Sequence, residues 1–310
     1  MQFFFEVLIG GLLAGVMYSL VALGFVLIYK ASGVFNFAQG AMVFFAALTF
    51  VSLVEDGFSI WVAFLMTFAA MVVIAIATER VVLRPLVNQP PITLFMATIG
   101  LTFVLEGLSQ LFWGSQPHGL ELGITDMPFE WLSANTGMFI SQFALFAALV
   151  AGLLVAGLAL FFQKTRIGRA LRAVADDHQA ALAVGIPLQQ IWVIVWTVAG
   201  FVALVSGLLW GARNGVQFAL TFTALKALPV LILGGFESVA GAIVGGLIVG
   251  ASEKLAEIYI PQFLNGPLSD AWGVSVNLAG LEIWFPYALA LAFLLIRPEG
   301  LFGEKHIDRV

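Results

Sequence analysis

Nine apolar stretches, at about 7–29, 37–54, 59–78, 92–113, 138–163, 190–211, 220–235, 239–257 and 282–297, leave this chain little choice of solvent. A bilayer core about 30 Å thick is crossed by about 20 apolar residues in a helix, and most of the stretches approach that length. Soluble domains carry about 25% charged residues; here the share is 10%, against 61% hydrophobic residues and a mean hydropathy of +1.05. Backbone groups in hydrocarbon must bond within the protein, which restricts spanning segments to helices and closed barrels. Unbroken apolar runs select the first. The expected fold is all-α, a polytopic transmembrane helical bundle of eight or nine membrane segments forming one domain over 1–310.

Charged or turn-rich breaks separate the stretches at Lys30 to Gly33, Glu55-Asp56-Gly57, Glu79 to Pro91 and Ser115 to Asn135. If every stretch crosses, Lys30, Arg80, Arg84, Lys164, Arg166, Arg169, Arg172, Arg297, Lys305 and Arg309 fall on one side. Glu55, Asp56, Glu121, Asp126, Glu130 and Asp270 fall on the other, with Arg213. Basic loops stay in the cytoplasm, so the N-terminus is expected outside and the C-terminus inside. The stretch 220–235 is short and holds Lys226, which admits a broken or re-entrant helix. Met1-Gln2-Phe3-Phe4-Phe5-Glu6 lacks the basic region of a cleaved signal peptide, so the first span is expected to be retained. Trp113, Trp131, Trp192, Trp272 and Trp284 stand near span ends, where interfacial anchors belong. The net charge of −5 is spread over short loops and gives no reason to expect nucleic acid as a partner.

Polar residues inside apolar runs carry the functional question. Asn36 and Gln39 stand at the mouth of the second stretch among Gly33, Ala38, Gly40 and Ala41, small residues that let backbones approach. Buried amides need a partner, so the pair either lines a passage for cargo or caps the helix and bonds a neighbour. Glu106 and Gln110, one helical turn apart in 92–113, are the other passage candidates, with packing as the rival role. Lys226 either snorkels to the interface or pairs with a carboxylate, and Glu253-Lys254 reads as a solvated rim. Gly11 with Gly15, and Gly241 with Gly245 and Gly246, have the spacing of helix–helix contacts in lipid. With no cysteine, and with His118, His178 and His306 in separate loops, a metal site is not expected.

The longest polar insert runs from Lys164 to Pro187. Ile167, Leu171, Val174 and Leu182 recur near helical spacing, while Arg169, Arg172 and Asp176 form another face. Such a helix either holds lipid headgroups or docks a cytoplasmic subunit.

Four blocks, in order, carry a resemblance. Thr165 to Asp177 followed by Gly185-Ile186 resembles the cytoplasmic coupling loop of LivH-type permeases of branched-chain amino acid ABC transporters. Asn36-Phe37-Ala38-Gln39-Gly40 is similar to that family's Asn-Phe-Ala-His-Gly segment. Leu233 to Ala242, with Gly245-Gly246-Leu247, resembles its late Gly-rich segment, and Arg297-Pro298-Glu299-Gly300-Leu301-Phe302-Gly303 its C-terminal signature. The resemblance implies an importer in the bacterial inner membrane: a second, related permease subunit, two cytoplasmic ATPase subunits and an extracytoplasmic solute-binding protein. Loop 164–187, with Arg166, Gly168, Arg169, Arg172, Asp176 and Asp177, would receive the ATPase stroke. The family commonly has His where this chain has Gln39, and an acidic residue where it has Ala41. Urea, short amides and other small amino-acid-like solutes therefore stand beside branched-chain amino acids as cargo.

Uphill import needs energy, yet the chain has no Gly-x-x-x-x-Gly-Lys-Ser/Thr loop. Lys164-Thr165 has the last two residue types without the glycines that bend a backbone around phosphates. The expectation is no cofactor bound by this chain, no catalysis by it, and ATP used by partner subunits. An ion-coupled secondary transporter or channel is the alternative; it would use intramembrane carboxylates, of which Glu106 is one. Paired catalytic acids, a His-Glu-x-x-His motif and a nucleophile elbow are all missing.

Because the chain has no native cysteine, sidedness is directly testable. A cysteine placed at Ser115 should react with an impermeant thiol reagent from outside, and one at Ala175 should not. Equal outside labelling of both overturns the nine-crossing arrangement.

Overall fold

The computed structural model describes residues 2–33, 35–86, 89–176, 178–264 and 280–303. Asp177, Asp270, Trp272, Lys305, His306 and Arg309, all used in the sequence reading, lie outside the described residues. Among the described residues the regular elements are helices: α1 Gln2–Ser32, α2 Gln39–Glu55, α3 Ile60–Ala77, α4 Pro91–Trp113, α5 Glu130–Thr136, α6 Gln142–Lys164, α7 Arg166–Asp176, α8 His178–Ala183, α9 Leu188–Asn214, α10 Ala219–Leu225, α11 Leu228–Gly234, α12 Val239–Phe263 and α13 Leu281–Ile296. After α3 the chain continues as a π-helix over Thr78–Leu83 and one tight turn over Arg84–Leu86.

Six of the described helices are long and apolar enough to cross a membrane: α1, α3 with its extension, α4, α6, α9 and α12. Two further apolar helices, α2 and α13, are shorter, with 17 and 16 residues. The stretch 220–235 divides into α10 and α11, with Lys226 in the turn between them. Pro229 stands at the start of α11, where its missing N–H costs no helical bond.

The helices gather into two units. One holds residues 23–122 and 153–225. Its core is α2, buried from Gln39 through Leu48 and again at Phe50 and Val51, and packed on α3, α4, α9 and α10. Glycine sets the closest approach. A Cβ on Gly207 of α9 would stand 2.6 Å from the Val43 carbonyl oxygen of α2, and one on Gly40 the same distance from the Thr221 carbonyl oxygen of α10. α3 buries one narrow stripe, Ala63, Thr67, Met71 and Ala75, at four-residue spacing. Its remaining faces are apolar and exposed, as at Leu65 and Val73.

The other unit holds residues 1–22, 123–152 and 226–310. α12 packs on α11 and α13 and meets the first half of α1 through glycines on both helices. Cβ atoms added to Gly11 and Gly15 would stand 2.7 and 2.5 Å from the carbonyl oxygens of Gly250 and Gly246. Gly241 faces Gly234 in the same intimate way, and Gly245 faces Val230. Two distant sequence blocks thereby meet: Leu301 and Phe302 donate their amides to the carbonyls of Leu233 (2.7 Å) and Gly234 (3.1 Å). Gly235 turns the chain there at φ +99°, a conformation that costs glycine nothing and side-chain-bearing residues a good deal.

Overpacking a tight contact typically costs 1–3 kcal/mol. Gly15→Val should lower the melting temperature of the purified protein clearly, because its new methyls meet the α12 backbone. Gly10→Ala, where nothing lies within 4 Å, should leave it unchanged or slightly raised. Equal melting of the two variants would remove the α1–α12 contact from the account.

Candidate functional site

Asn36 and Gln39 come together. The side chain of Asn36 accepts the Ala38 amide at 3.1 Å, closing an Asx turn just ahead of α2. Its Nδ2 donates to Gln39 Oε1 at 3.4 Å, and Gln39 Nε2 donates to the Ala199 carbonyl of α9 at 3.3 Å. Gly24 makes room for this amide, since a Cβ there would stand 2.5 Å from Gln39 Nε2. Both side chains are fully buried. Thr98 of α4 meets the same turn, its hydroxyl accepting the Phe37 amide at 3.2 Å and sharing its one proton between the carbonyls of Phe95 (2.9 Å) and Phe35 (3.2 Å). Trp192 of α9 donates to the Ala31 carbonyl at 3.1 Å. In this conformation the amides form a closed polar knot between helices.

Glu106 and Gln110 are not part of that knot. Glu106 is half-buried on α4 with no hydrogen-bond or ion-pair partner among the described residues, and Gln110 is exposed one turn later. Thr98, two turns before Glu106, is the α4 residue that reaches the Asn36 turn.

In the other unit an ion pair stands inside the apolar span. Lys226 Nζ donates to Glu253 Oε1 at 3.2 Å, and Tyr18 Oη of α1 donates to the same oxygen at 3.2 Å. Glu253 Oε2 is buried without a hydrogen-bond partner among the described residues. Of the two roles open to Lys226, pairing with a carboxylate is the one found. Glu253 is not a solvated rim: it is 4% exposed. The reason is register. Gly246, Gly250 and Glu253 follow one another at spacings of four and three, so they share one face of α12, and that face is the one closed by α1. Lys254, next in sequence, lies with its Cβ near Gly11 of α1 and carries its ammonium out to Glu257 at 2.5 Å.

The insert 164–187 folds as α7 and α8, both packed against the start of α9. Thr165 caps α7, its hydroxyl oxygen accepting the Gly168 amide at 3.1 Å. Leu171 and Val174 are buried, while Arg166 and Arg169 are exposed. Arg172 turns back on the end of α6, donating to the carbonyls of Phe162 (2.7 Å) and Gln163 (3.4 Å). Arg169 reaches the Lys164 carbonyl at 3.4 Å. Cations at a helix C-terminus satisfy its unpaired carbonyls and oppose its dipole. Gly168 is buried with its Cα against the Phe162 carbonyl, where any side chain would collide. Asp176 ends α7. Among the described residues no group of three His, Cys, Asp or Glu side chains could hold a metal ion.

Sequence reasoning passed over Tyr18, Gly24 and Thr98. Tyr18 had a signal, a phenol in the middle of an otherwise apolar helix, whereas Gly24 and Thr98 acquire meaning only through the partners they meet.

Lys226 and Glu253 compensate each other. Removing one member of a buried pair typically costs 3–5 kcal/mol, while replacing both by apolar residues is near neutral. Lys226→Met should therefore reduce folded yield and melting temperature severely, and Lys226→Met with Glu253→Leu should recover most of the loss. Thermal unfolding of the three proteins checks this; a double variant no better than the single one would deny the pairing.

The family described as "Branched-chain amino acid transport system / permease component" matches residues 7–296. The high-affinity branched-chain amino acid transport system permease protein LivH of Escherichia coli is 26% identical, over 99% of this chain and 98% of that protein. The corresponding BraD protein of Pseudomonas aeruginosa is 28% identical over the same shares. A probable branched-chain amino acid transport permease protein LivH of Methanocaldococcus jannaschii is 29% identical over 92% of this chain and 88% of its own length.

Proposed function

Because the chain belongs to the family of permease components of branched-chain amino acid transport systems, we propose that it is the membrane-spanning permease subunit of an ABC importer, moving branched-chain amino acids or related small polar solutes across the bacterial inner membrane. The observation that carries this is a family match over 7–296 that includes a basic amphipathic helix pair set between two long apolar helices. A permease component is one part of a larger machine, which sets aside a self-powered carrier. The partners are cytoplasmic ATPase subunits, two in number, a second related permease subunit and an extracytoplasmic solute-binding protein. ATP is spent by the ATPases, and this chain binds no cofactor.

The chain 1–310 acts as one permease domain. It crosses eight or nine times: six long helices, the shorter α2 and α13, and, for the ninth, the broken α10–α11. Its basic side is cytoplasmic. Arg166 and Arg169 present the docking surface of the coupling loop 164–187, which extends through Asp176 and Asp177. Arg172 and Gly168 join that surface to α6. Asn36 and Gln39 act as a gate that is shut in the described conformation: uncharged amides can exchange their mutual bond for bonds to a zwitterion without trapping it. Glu106 and Gln110 of α4 continue the polar route.

The test is ATP-driven uptake by the complex reconstituted with its ATPases and binding protein, normalised to assembled complex. Arg166→Glu with Arg169→Glu should cut ATPase co-purification and uptake about tenfold or more, since charge-assisted bonds of about 1.5–3 kcal/mol are lost and repulsion is added. Arg172 is left intact because its loss would also uncap α6. Gln39→Leu should leave complex yield and basal ATP hydrolysis near normal while lowering uptake or changing which solutes pass. Unaltered co-purification and uptake in the first variant would return α7 to lipid anchoring; unaltered turnover and selectivity in the second would reduce Gln39 to a structural role.

A further inference from the structure

The end of α3 does something its sequence does not announce. Over Thr78–Leu83 the helix widens into a π-helix, a form concentrated at functional positions. Glu79 points into the protein, 0% exposed, and Arg80 points out of it. Arg84 grips the Glu79 carboxylate with Nε at 3.1 Å and Nη2 at 3.2 Å, which leaves its Nη1 edge uncommitted. Arg80 has no hydrogen-bond or ion-pair partner among the described residues.

Between this segment and the first turns of α9 lies a cavity of about 440 Å³. It is lined by Glu79, Arg80, Arg84, Gln189 and Gln190, and by Ile76, Val193 and Ile194; along α3 and α9 the polar residues lie toward the end of the first and the start of the second, and the apolar ones away from it. The order follows from chain direction: α3 arrives at the polar end as α9 departs from it. Beyond Ile76 the apolar wall continues along the exposed flank of α3 through Val73, Ala69 and Leu65, at spacings of three and four. Two guanidinium groups against one carboxylate leave a net charge of +1 at the mouth.

We propose that this cavity is a binding site for an anionic phospholipid. The phosphate lies between Arg80 and the free edge of Arg84, and Gln189 and Gln190 bond the remaining headgroup oxygens. One acyl chain runs over Ile76, Val193 and Ile194 onto the exposed flank of α3. A soluble phosphate would gain nothing from the apolar end, and an acidic protein segment would leave the α3 stripe uncovered. The site rests on the proposed sidedness, which puts Arg80 and Arg84 at the cytoplasmic leaflet where anionic lipid attracts basic groups. It does not rest on the identity of the cargo. Because Gln189 and Gln190 form the first turn of α9, immediately after Pro187 closes the coupling loop, the lipid braces the element against which α7 and α8 pack.

The test uses the full-length protein in nanodiscs of phosphatidylcholine doped with phosphatidylglycerol, with lipids retained after extraction counted by native mass spectrometry. The unmodified protein should retain phosphatidylglycerol in preference to phosphatidylcholine, and Arg80→Gln should reduce that retention about tenfold, the effect of losing a charge-assisted contact. Arg80 is exposed, so its variant should melt like the parent. Arg213→Gln, at the opposite end by the same sidedness, should retain lipid normally. Equal retention of both lipids, or undiminished phosphatidylglycerol on Arg80→Gln, overturns the site. Displacement of the lipid by free glycerol phosphate overturns the acyl seat. Loss of ATPase co-purification on Arg80→Gln with lipid retention intact makes the cavity a protein-docking surface instead. Loss on Arg213→Gln but not on Arg80→Gln would reject the sidedness while leaving the permease assignment standing.

Discussion

A polar group in hydrocarbon has no water to turn to, so this chain must supply its buried amides and carboxylates with partners of its own. That requirement explains why its polar side chains stand beside its smallest residues. Gln39 fits because Gly24 has no side chain, and Glu253 meets Tyr18 because Gly246 and Gly250 have already brought α12 against α1. Close backbone approach and polar satisfaction are therefore one design. Removing the glycines would move the donors out of reach before it disturbed any apolar contact.

The same economy places polar groups where regular helices stop. Asn36 closes the turn between α1 and α2, Lys226 sits in the turn between α10 and α11, and Glu79 with Arg84 marks the π-helical end of α3. At such points the backbone has fewer neighbours of its own and side chains can substitute for them. Discontinuous helices commonly form binding sites in transporters. Here the breaks carry the chain's buried amide pair and its intramembrane ion pair.

Much of this was legible beforehand. Apolar runs long enough to cross a bilayer have few alternatives to helix, so the long spans and the all-helical fold followed from the stretches themselves. The small-residue spacing of Gly11, Gly15, Gly245 and Gly246 was readable as packing, and the amphipathic period of 167–174 as a surface helix. Glu253 was misread because an adjacent Glu and Lys look like a solvated surface pair; the register it shares with Gly246 and Gly250 held the correction. Pro85 marks an end to α3, since it cannot bond the Val81 carbonyl, but nothing in 78–83 itself announces that the helix widens there. The return of Arg172 to the end of α6 spans ten residues, farther than any local rule reaches. Gln39 was recognised as costly, but its acceptor is the carbonyl of Ala199, 160 positions away, and a backbone acceptor leaves no trace in the residue type.

Gly168 sets how stiffly α7 is joined to α6. A Cβ on it would collide with the carbonyl of Phe162, and Arg172 donates to the same carbonyl. A joint made this way has no slack. If α7 receives the push of a docked subunit, as proposed, the missing side chain at Gly168 would leave little at that contact to absorb it before α6 moved. The bend at Thr165 thus behaves less like a hinge than like the elbow of a rigid bracket, and any lever arm this protein possesses begins there.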